Sequence, residues 1–520
     1  MTPLQPAAPG RGPAEGAHDA AWQRVHPLSP WVRGWILLLA LFVGVGRDWL
    51  QSILTGEPMR GWWSDVPVPV LGWAGAAVIL IVGGGFVLSW WTTRYLVDET
   101  MVRVDTGILF RQHRQARLDR VQAVDVVQPF LARVFGLAEL RFEVADAHEN
   151  ALRLAFLPEA EAQRLRASVL AAAATAAMAV GGAKASTAHA EAGRPGEGTP
   201  SSVPAGSGET GSPETLVARA PVARILASTA LTPFVIVAAV VGALGILLEV
   251  STGLRGLGAA IIPALLGGAF SAWNRVSAFW DFRVLAVGDG VRLSRGLLEA
   301  RSQTVPAARV QAILIRQPLL WRPFGWWSVH VNVAGYRHTS EREGSKSTLL
   351  PVGTSEDVFR VLGLVFPDPG TDPGTGRGVI AAGLTGTGEW CGFVGSPPPA
   401  RWLDPLAWRR TGYLATRTAL LCRTGAASRR LVIVPHERTQ SISLTQGPLE
   451  RRLGLAGVEL HSTPGPVRPA VPHLAVAAAE DLFAEQAARA ARARRQARPA
   501  AGLPAGEHPV AEKPIPGGAA

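Results

Sequence analysis

Three segments of this chain carry the same residues at the same spacing, and no other feature restricts its fold as tightly. The first reads GILFRQHRQARLDRVQAVDVVQPFLARVFGL from Gly107, the second GLLEARSQTVPAARVQAILIRQPLLWRPFGW from Gly296, and the third GAASRRLVIVPHERTQSISLTQGPLERRLGL from Gly425. Thirteen residues after each glycine stands an arginine: Arg120, Arg309 and Arg438. Two further on come Gln122, Gln311 and Gln440, and six beyond those Gln128, Gln317 and Gln446. Arg133, Arg322 and Arg451 follow, and then Gly136, Gly325 and Gly454. Six identities in register at three places mark one structural unit used three times.

Each unit is punctuated alike. Apolar residues alternate before the opening glycine, as Val102/Val104, Val291/Leu293 and Leu420/Cys422, and the turn Gly288-Asp289-Gly290 ahead of the second predicts a hairpin. After the closing glycine the period of two returns, as Leu140/Phe142/Val144, Val329/Val331/Val333 and Val458/Leu460. Helix signals end each unit at Pro158-Glu159, Ser355-Glu356-Asp357 and Glu480-Asp481. Short strands followed by one terminal helix predict a small barrel or paired sheets with an end cap.

Around the units lie four apolar stretches: Pro30 to Val45, Val66 to Thr93, Ile225 to Leu248 and Gly256 to Asn274. A helix crosses the hydrocarbon core with roughly 20 apolar residues. The last three reach that length, and the first does so only if Arg33 snorkels. They predict four spans in two hairpins. Charged residues make up only 18% of the chain and mean hydropathy is +0.19, which fits a membrane protein with soluble parts. Arg24, Arg33, Arg94, Arg103, Arg219, Arg224, Arg275 and Arg283 flank one side of both hairpins. The positive-inside rule therefore predicts cytoplasmic N- and C-termini and cytoplasmic repeats. No span carries an ionisable residue at its centre, where a transporter would need one.

The expected organisation is a disordered N-terminus over 1–29, a transmembrane hairpin over 30–93, a first domain over 94–170 and a disordered linker over 171–218. A second hairpin over 219–280 leads to a second domain over 281–366. A linker over 367–400, a third domain over 401–487 and a basic, then Pro/Gly-rich tail over 488–520 complete it.

Two membrane hairpins, strands carrying Gly-[IL]-[IL], and the run Arg-x-Gln…Gln-x-x-[LE]-x-Arg-x-x-Gly resemble the bacterial pleckstrin-homology (PH) domain membrane proteins of the YdbT-like group. The resemblance covers roughly residues 30–170, 220–366 and 411–487. It implies three PH-like barrel or sandwich domains, each closed by a C-terminal helix and hung from membrane hairpins at the bacterial plasma membrane. The third copy departs most, lacking a hairpin and carrying Thr439 and Gly447 in place of apolar and proline residues. The group implies no enzymatic activity, and suggests a part in envelope-stress or antimicrobial-peptide resistance.

The chain carries no zincin, P-loop or nucleophile-elbow motif. Its histidines fall at non-matching positions of the repeats, and two cysteines, Cys391 and Cys422, make neither a disulfide framework nor a structural zinc site. No catalytic residue, metal or cofactor is expected. The net charge of +11 suits anionic lipid better than nucleic acid, because the first repeat balances its acids and bases. The repeated arginines, glutamines and glycines are either fold determinants or a partner surface. Trp321, Phe324, Trp326 and Trp327 crowd one loop and are candidates for contact with membrane, headgroups or a neighbouring repeat. The expected function is non-enzymatic binding or scaffolding of lipid, a membrane-protein partner or a second copy; the alternative is a component of a transport or export system.

Overall fold

The opening glycine of each repeat turns one strand back on its neighbour, and from that hairpin the rest of the domain is built. In a computed structural model of the chain the described residues are 23–24, 26–27, 68–97, 101–107, 112–117, 121–144, 152–169, 215–253, 257–288, 290–334 and 347–497. Helix α1 (Val68–Thr92) runs into a sheet of β1 (Gln23–Arg24), β2 (Arg94–Val97), β3 (Met101–Thr106) and β4 (Gln112–Arg117). A second layer follows: β5 (Val121–Pro129), the short α2 (Phe130–Val134), β6 (Leu137–Val144) and β7 (Leu152–Pro158), closed by α3 over 159–169.

The second repeat repeats this order. Strand β8 (Thr215–Ala220), helices α4 (Val222–Ala230), α5 (Pro233–Thr252) and α6 (Leu257–Phe279), and strands β9 (Phe282–Val287), β10 (Gly290–Arg295) and β11 (Glu299–Pro306) come first. Strands β12 (Val310–Pro318), β13 (Trp327–Val333) and β14 (Thr348–Gly353) and helix α7 (Ser355–Val365) close it. The third comprises α8 (Gly376–Thr385), β15 (Val394–Gly395), β16 (Gly412–Ala415), β17 (Ala419–Thr424) and β18 (Ser428–Pro435), then β19 (Ser441–Thr445), α9 (Pro448–Leu453), β20 (Leu455–His461), β21 (Ala470–Ala475) and α10 (Val476–Ala497). The alternating residues Val102 and Val104 of β3 and Val458 and Leu460 of β20 are buried, as a one-sided strand requires, whereas β13 is covered on both faces, with Ser328 and Asn332 buried too. Helix α7 begins where a capping box satisfies its first amides: the Thr354 side chain accepts from Asp357 N while the Asp357 carboxylate accepts from Thr354 N.

The repeats are not separate barrels. Strand order runs β7-β6-β5-β11-β10-β9-β8 in one sheet and β14-β13-β12-β18-β17-β16-β15 in another. The second layer of one repeat and the first layer of the next are thus one continuous sheet. Both junctions use the same register. Pro129 faces Glu299 at the first, and Pro318 faces Ser428 at the second, which are equivalent positions of the repeat. One apolar core accordingly holds Ile313 and Ile315 of the second repeat with Leu421, Leu431 and Ile433 of the third.

Several expected boundaries move. The N-terminus expected to be disordered through 29 supplies β1, which pairs with β2 through Gln23↔Tyr95 and Arg24↔Arg94. The linker expected through 218 ends instead in β8, paired with β9. The stretch 225–248 is not one span: α4 ends at Ala230 and α5 starts at Pro233. Pro233 has no N–H to continue a helix, and it holds Thr232 in the extended region at φ −76, ψ 138. Ile225, Ser228 and Thr229 are buried in the second domain, so α4 belongs to that domain. Helix α6 runs on to Phe279, whose ring is buried with Val276 against the same core.

Of the helices whose side chains are described throughout, α5 is long and apolar enough to cross a membrane, with hydropathy 2.5 and nearly all of its surface open. The expected span at 30–45, the linker over 171–214 and the tail beyond 497 lie outside the described residues.

The expected linker over 367–400 is folded. Helix α8 packs on the shared sheet, and Gly383 lies against Leu431. Two buried arginines hold it there. Arg410 donates from Nη1 to Gly386 O at 3.0 Å and from Nη2 to Gly383 O at 2.9 Å and Leu384 O at 2.6 Å, so one guanidinium caps the helix C-terminus. Arg423 donates from Nε to Arg410 O at 2.9 Å and stacks 4.3 Å over the Phe393 ring. Burial, with Arg429, Arg423 and Arg322 nearby, pushes Arg410 down to about 9, still charged at neutral pH. The basic run expected in a tail from 488 is the second half of α10, where Arg494 Nη1 donates to Thr439 O at 2.7 Å and Gln486 is fully buried.

Candidate functional site

The repeated residues converge on the turn that joins the two halves of each domain's second layer. In each repeat a strand (β5, β12 or β19) ends and a short helical turn follows. A glycine at φ +66, +63 or +66 (Gly136, Gly325, Gly454) then feeds the next strand. That left-handed backbone is why the position is glycine. The opening glycines Gly107, Gly296 and Gly425 also have positive φ, at 106, 112 and 82. A Cβ at Gly296 would collide with the Glu299 carbonyl, and one at Gly425 with the Ser428 carbonyl.

The repeated arginines of this turn reach into the next domain. Arg133 Nη2 donates to the Leu297 carbonyl, and Arg322 Nη2 to the Ala426 carbonyl. Leu297 and Ala426 are both the first residue after an opening glycine, so one contact is made twice. Gln317, buried, accepts from Arg429 Nη1 of the third repeat at 3.1 Å, and Arg316 Nε donates to Ser428 Oγ at 2.8 Å. At the first junction Arg141 Nη2 meets Glu299 Oε1 at 3.2 Å, and Arg166 Nη2 donates to Thr304 Oγ1 at 2.6 Å.

The other repeated residues act locally. Arg309 ends a 3₁₀ turn directly before β12 and its carbonyl accepts from Ala334 N at 2.9 Å and Gln311 Nε2 at 3.4 Å. Arg438 occupies the same place before β19 and pairs with Glu437 at 2.9 Å. Arg120 lies outside the described residues, and Gln122 falls in β5. Gln440 is exposed, while Gln446 Nε2 donates to Leu455 O at 2.9 Å. Gln128 is half-buried at the end of β5, on the rim of a cleft of about 330 Å³ at the first junction. Arg451 is exposed.

The aromatic loop divides. Trp321 and Trp327 are core residues, 3% and 4% exposed, because both join the cluster shared with the third repeat. Trp326 is half-buried edge-on to Trp321 at 6.5 Å, and Phe324 stacks on it at 4.6 Å with its outer face open. Of the four aromatics, Phe324 and Trp326 reach the surface, while Trp321 and Trp327 lie in the core shared with the neighbouring repeat.

An open cleft of about 650 Å³ in the third repeat has Arg417, Arg489, Arg492, His436, Asp372 and Thr371 among its walls, Arg417 Nη2 donating to Thr371 O at 3.1 Å. Burial depresses His436, whose Nε2 lies 2.9 Å from the Thr416 carbonyl. Cys422 is fully buried and its thiol is pushed up to about 12, which makes it an apolar core side chain. No cluster of His, Cys, Asp or Glu suited to a metal occurs among the described residues.

The double coverage of one junction strand was legible, though not its edge partner. Strand β18 reads SRRLVIVP, and its unbroken apolar run Leu431–Val434 signals a strand covered on both faces. Arg410 and Arg423 gave no such signal, because arginine count alone does not distinguish a buried cap from a surface charge.

Comparison with known proteins agrees with this geometry. The family model of the bacterial PH domain matches three times, over residues 41–173, 224–365 and 373–490. The transmembrane protein YdbT of Bacillus subtilis (strain 168) is 23% identical over 298 residues, which is 54% of this chain and 58% of the relative. The match thus spans little more than half of that relative's length. The third family match in this chain begins at residue 373, so α8 falls within it, in keeping with its packing on the shared sheet. With three matches laid over three copies of one folded unit, the chain belongs to the bacterial PH domain family and carries its domain in tandem.

Proposed function

We propose that this chain is a non-enzymatic, polytopic membrane protein whose three PH repeats form a single cytoplasmic scaffold at the inner face of the bacterial plasma membrane. The observation that carries the reading is the continuous sheet at each junction, which makes three domains one binding surface held at fixed spacing. Membrane attachment is supported by α5, whose Phe234, Val237, Leu244, Ile246 and Leu247 are exposed and need lipid to cover them. It is also supported by the uncharged 25-residue α1 and by the membrane character of the Bacillus relative. Arginines on one side of both hairpins favour cytoplasmic repeats and termini. The exposed Trp402 and Leu406, with Arg401 5.5 Å over the Trp402 ring, suit the headgroup layer beside them. Resistance to envelope stress or antimicrobial peptides is the setting the family suggests, and sensitivity of a deletion strain tests it.

Reporter fusions test the topology. Fusions after Thr55 and Thr252 should read outside, and fusions after Leu170 and Val365 inside. An outside reading after Val365 would put the repeats on the wrong face and sink the proposal.

A further inference from the structure

The array of repeats is built by one pairing rule, and the rule leaves both ends open. Strand β5 takes the fourth strand of the next repeat, β11, and β12 takes β18 in the same register. The third repeat's equivalent of β5 and β12 is β19, which lies at the edge of its sheet. The first repeat's equivalent of β11 and β18 is β4, which lies at the edge of its own. Among the described residues neither edge has a further strand beside it.

The exposure of the edge records what is missing. Leu444 in β19 is 41% exposed, whereas its equivalents Val126 and Ile315 are 3% and 0% exposed. Ile315 is covered in the core shared with the third repeat, while Val126 is covered by the first repeat's own core. At the other end β4 keeps the phase of its counterparts, since Met101↔Arg117 in its hairpin matches Gly290↔Pro306 and Ala419↔Pro435. Unpaired edges are templates for strand addition.

We propose that β19 of one copy pairs with β4 of a second copy of this chain, antiparallel and in the register of the internal junctions. The occupant is a second copy because the chain already makes this pairing with itself twice. Carrying the register over sets Ser443 opposite Arg114 and Leu444 opposite His113. Such a contact is head-to-tail, so it propagates along the membrane plane or closes into a ring. The proposal deepens the scaffold reading and rests on its shared-sheet junctions.

Disulfide trapping in native membranes tests it. In a Cys391→Ser background, full-length Arg114→Cys and full-length Ser443→Cys, differently tagged, are co-expressed and mildly oxidised. A mixed dimer should form, several-fold more than when Ser443→Cys is replaced by the out-of-register Ser441→Cys. Leu444→Lys or Thr445→Lys, both at exposed sites, should reduce it several-fold while leaving the monomer folded. Equal trapping at 441 and 443, no trapping, or trapping between two Ser443→Cys copies alone would overturn the pairing. Cytoplasmic reporter signal in the same strains keeps the scaffold reading separate, because it survives a failure of the assembly.

Discussion

His330 shows how a single half-buried side chain ties stability to pH. It sits in β13 with its Nδ1 3.2 Å from Thr348 Oγ1, and burial, reinforced by Arg275 and Arg316, lowers it to about 4. Unfolded histidine titrates near 6.5. Between those values the unfolded chain binds the extra proton, so stability is full above about 6.5 and falls as pH drops toward 4. Replacement by Gln, which keeps a polar side chain without titrating near neutrality, should flatten that slope. Thermal unfolding of the detergent-solubilised protein at about pH 7 and about pH 5 reads the difference. An unchanged slope in His330→Gln would assign the acid sensitivity to other groups.

Strands β12 and β19 are the same element in two environments, which separates the energetics of the repeat from those of the array. Ile315 is fully buried between repeats, and Leu444 at the equivalent position is largely open. Truncating a buried isoleucine to alanine costs about 2–5 kcal/mol, because the transfer energy is lost and a cavity remains. Ile315→Ala should therefore destabilise the chain within that range. Leu444→Ala, with little surface to lose, should cost less than about 1 kcal/mol. Denaturant midpoints of the two variants decide the matter; equal costs would mean that β19 is covered as β12 is. Helix α8 makes the complementary point, since its position depends on carbonyls reached by Arg410 from 24 to 27 residues away.

Across the whole molecule, the junctions make the three domains interdependent. A chain ended after Phe366 would lose β18 and leave β12 as an edge carrying Ile313 and Ile315, both fully buried in the intact protein. A long apolar edge recruits other strands. That truncated chain should form larger, less regular aggregates in detergent than the full chain treated alike, as measured by size-exclusion chromatography with light scattering. A well-behaved monomer would show that the second domain is closed without the third.

Much of the repeat was legible in one dimension. The spacing from Gly296 to Gly325 located both turns, because a positive φ excludes most side chains and glycine repeats where the backbone demands it. Alternation in β3, β10 and β20 showed which face is buried, and Pro233 already stood where the expected span divides. Tertiary structure alone decided which strand edges meet. Side-chain patterns report the faces of a sheet, but its edges are backbone N–H and C=O groups that every non-proline residue carries. Hence the sequence by itself determined three copies of one unit, and the packing of Ile315 against the third repeat decided that they form one continuous body.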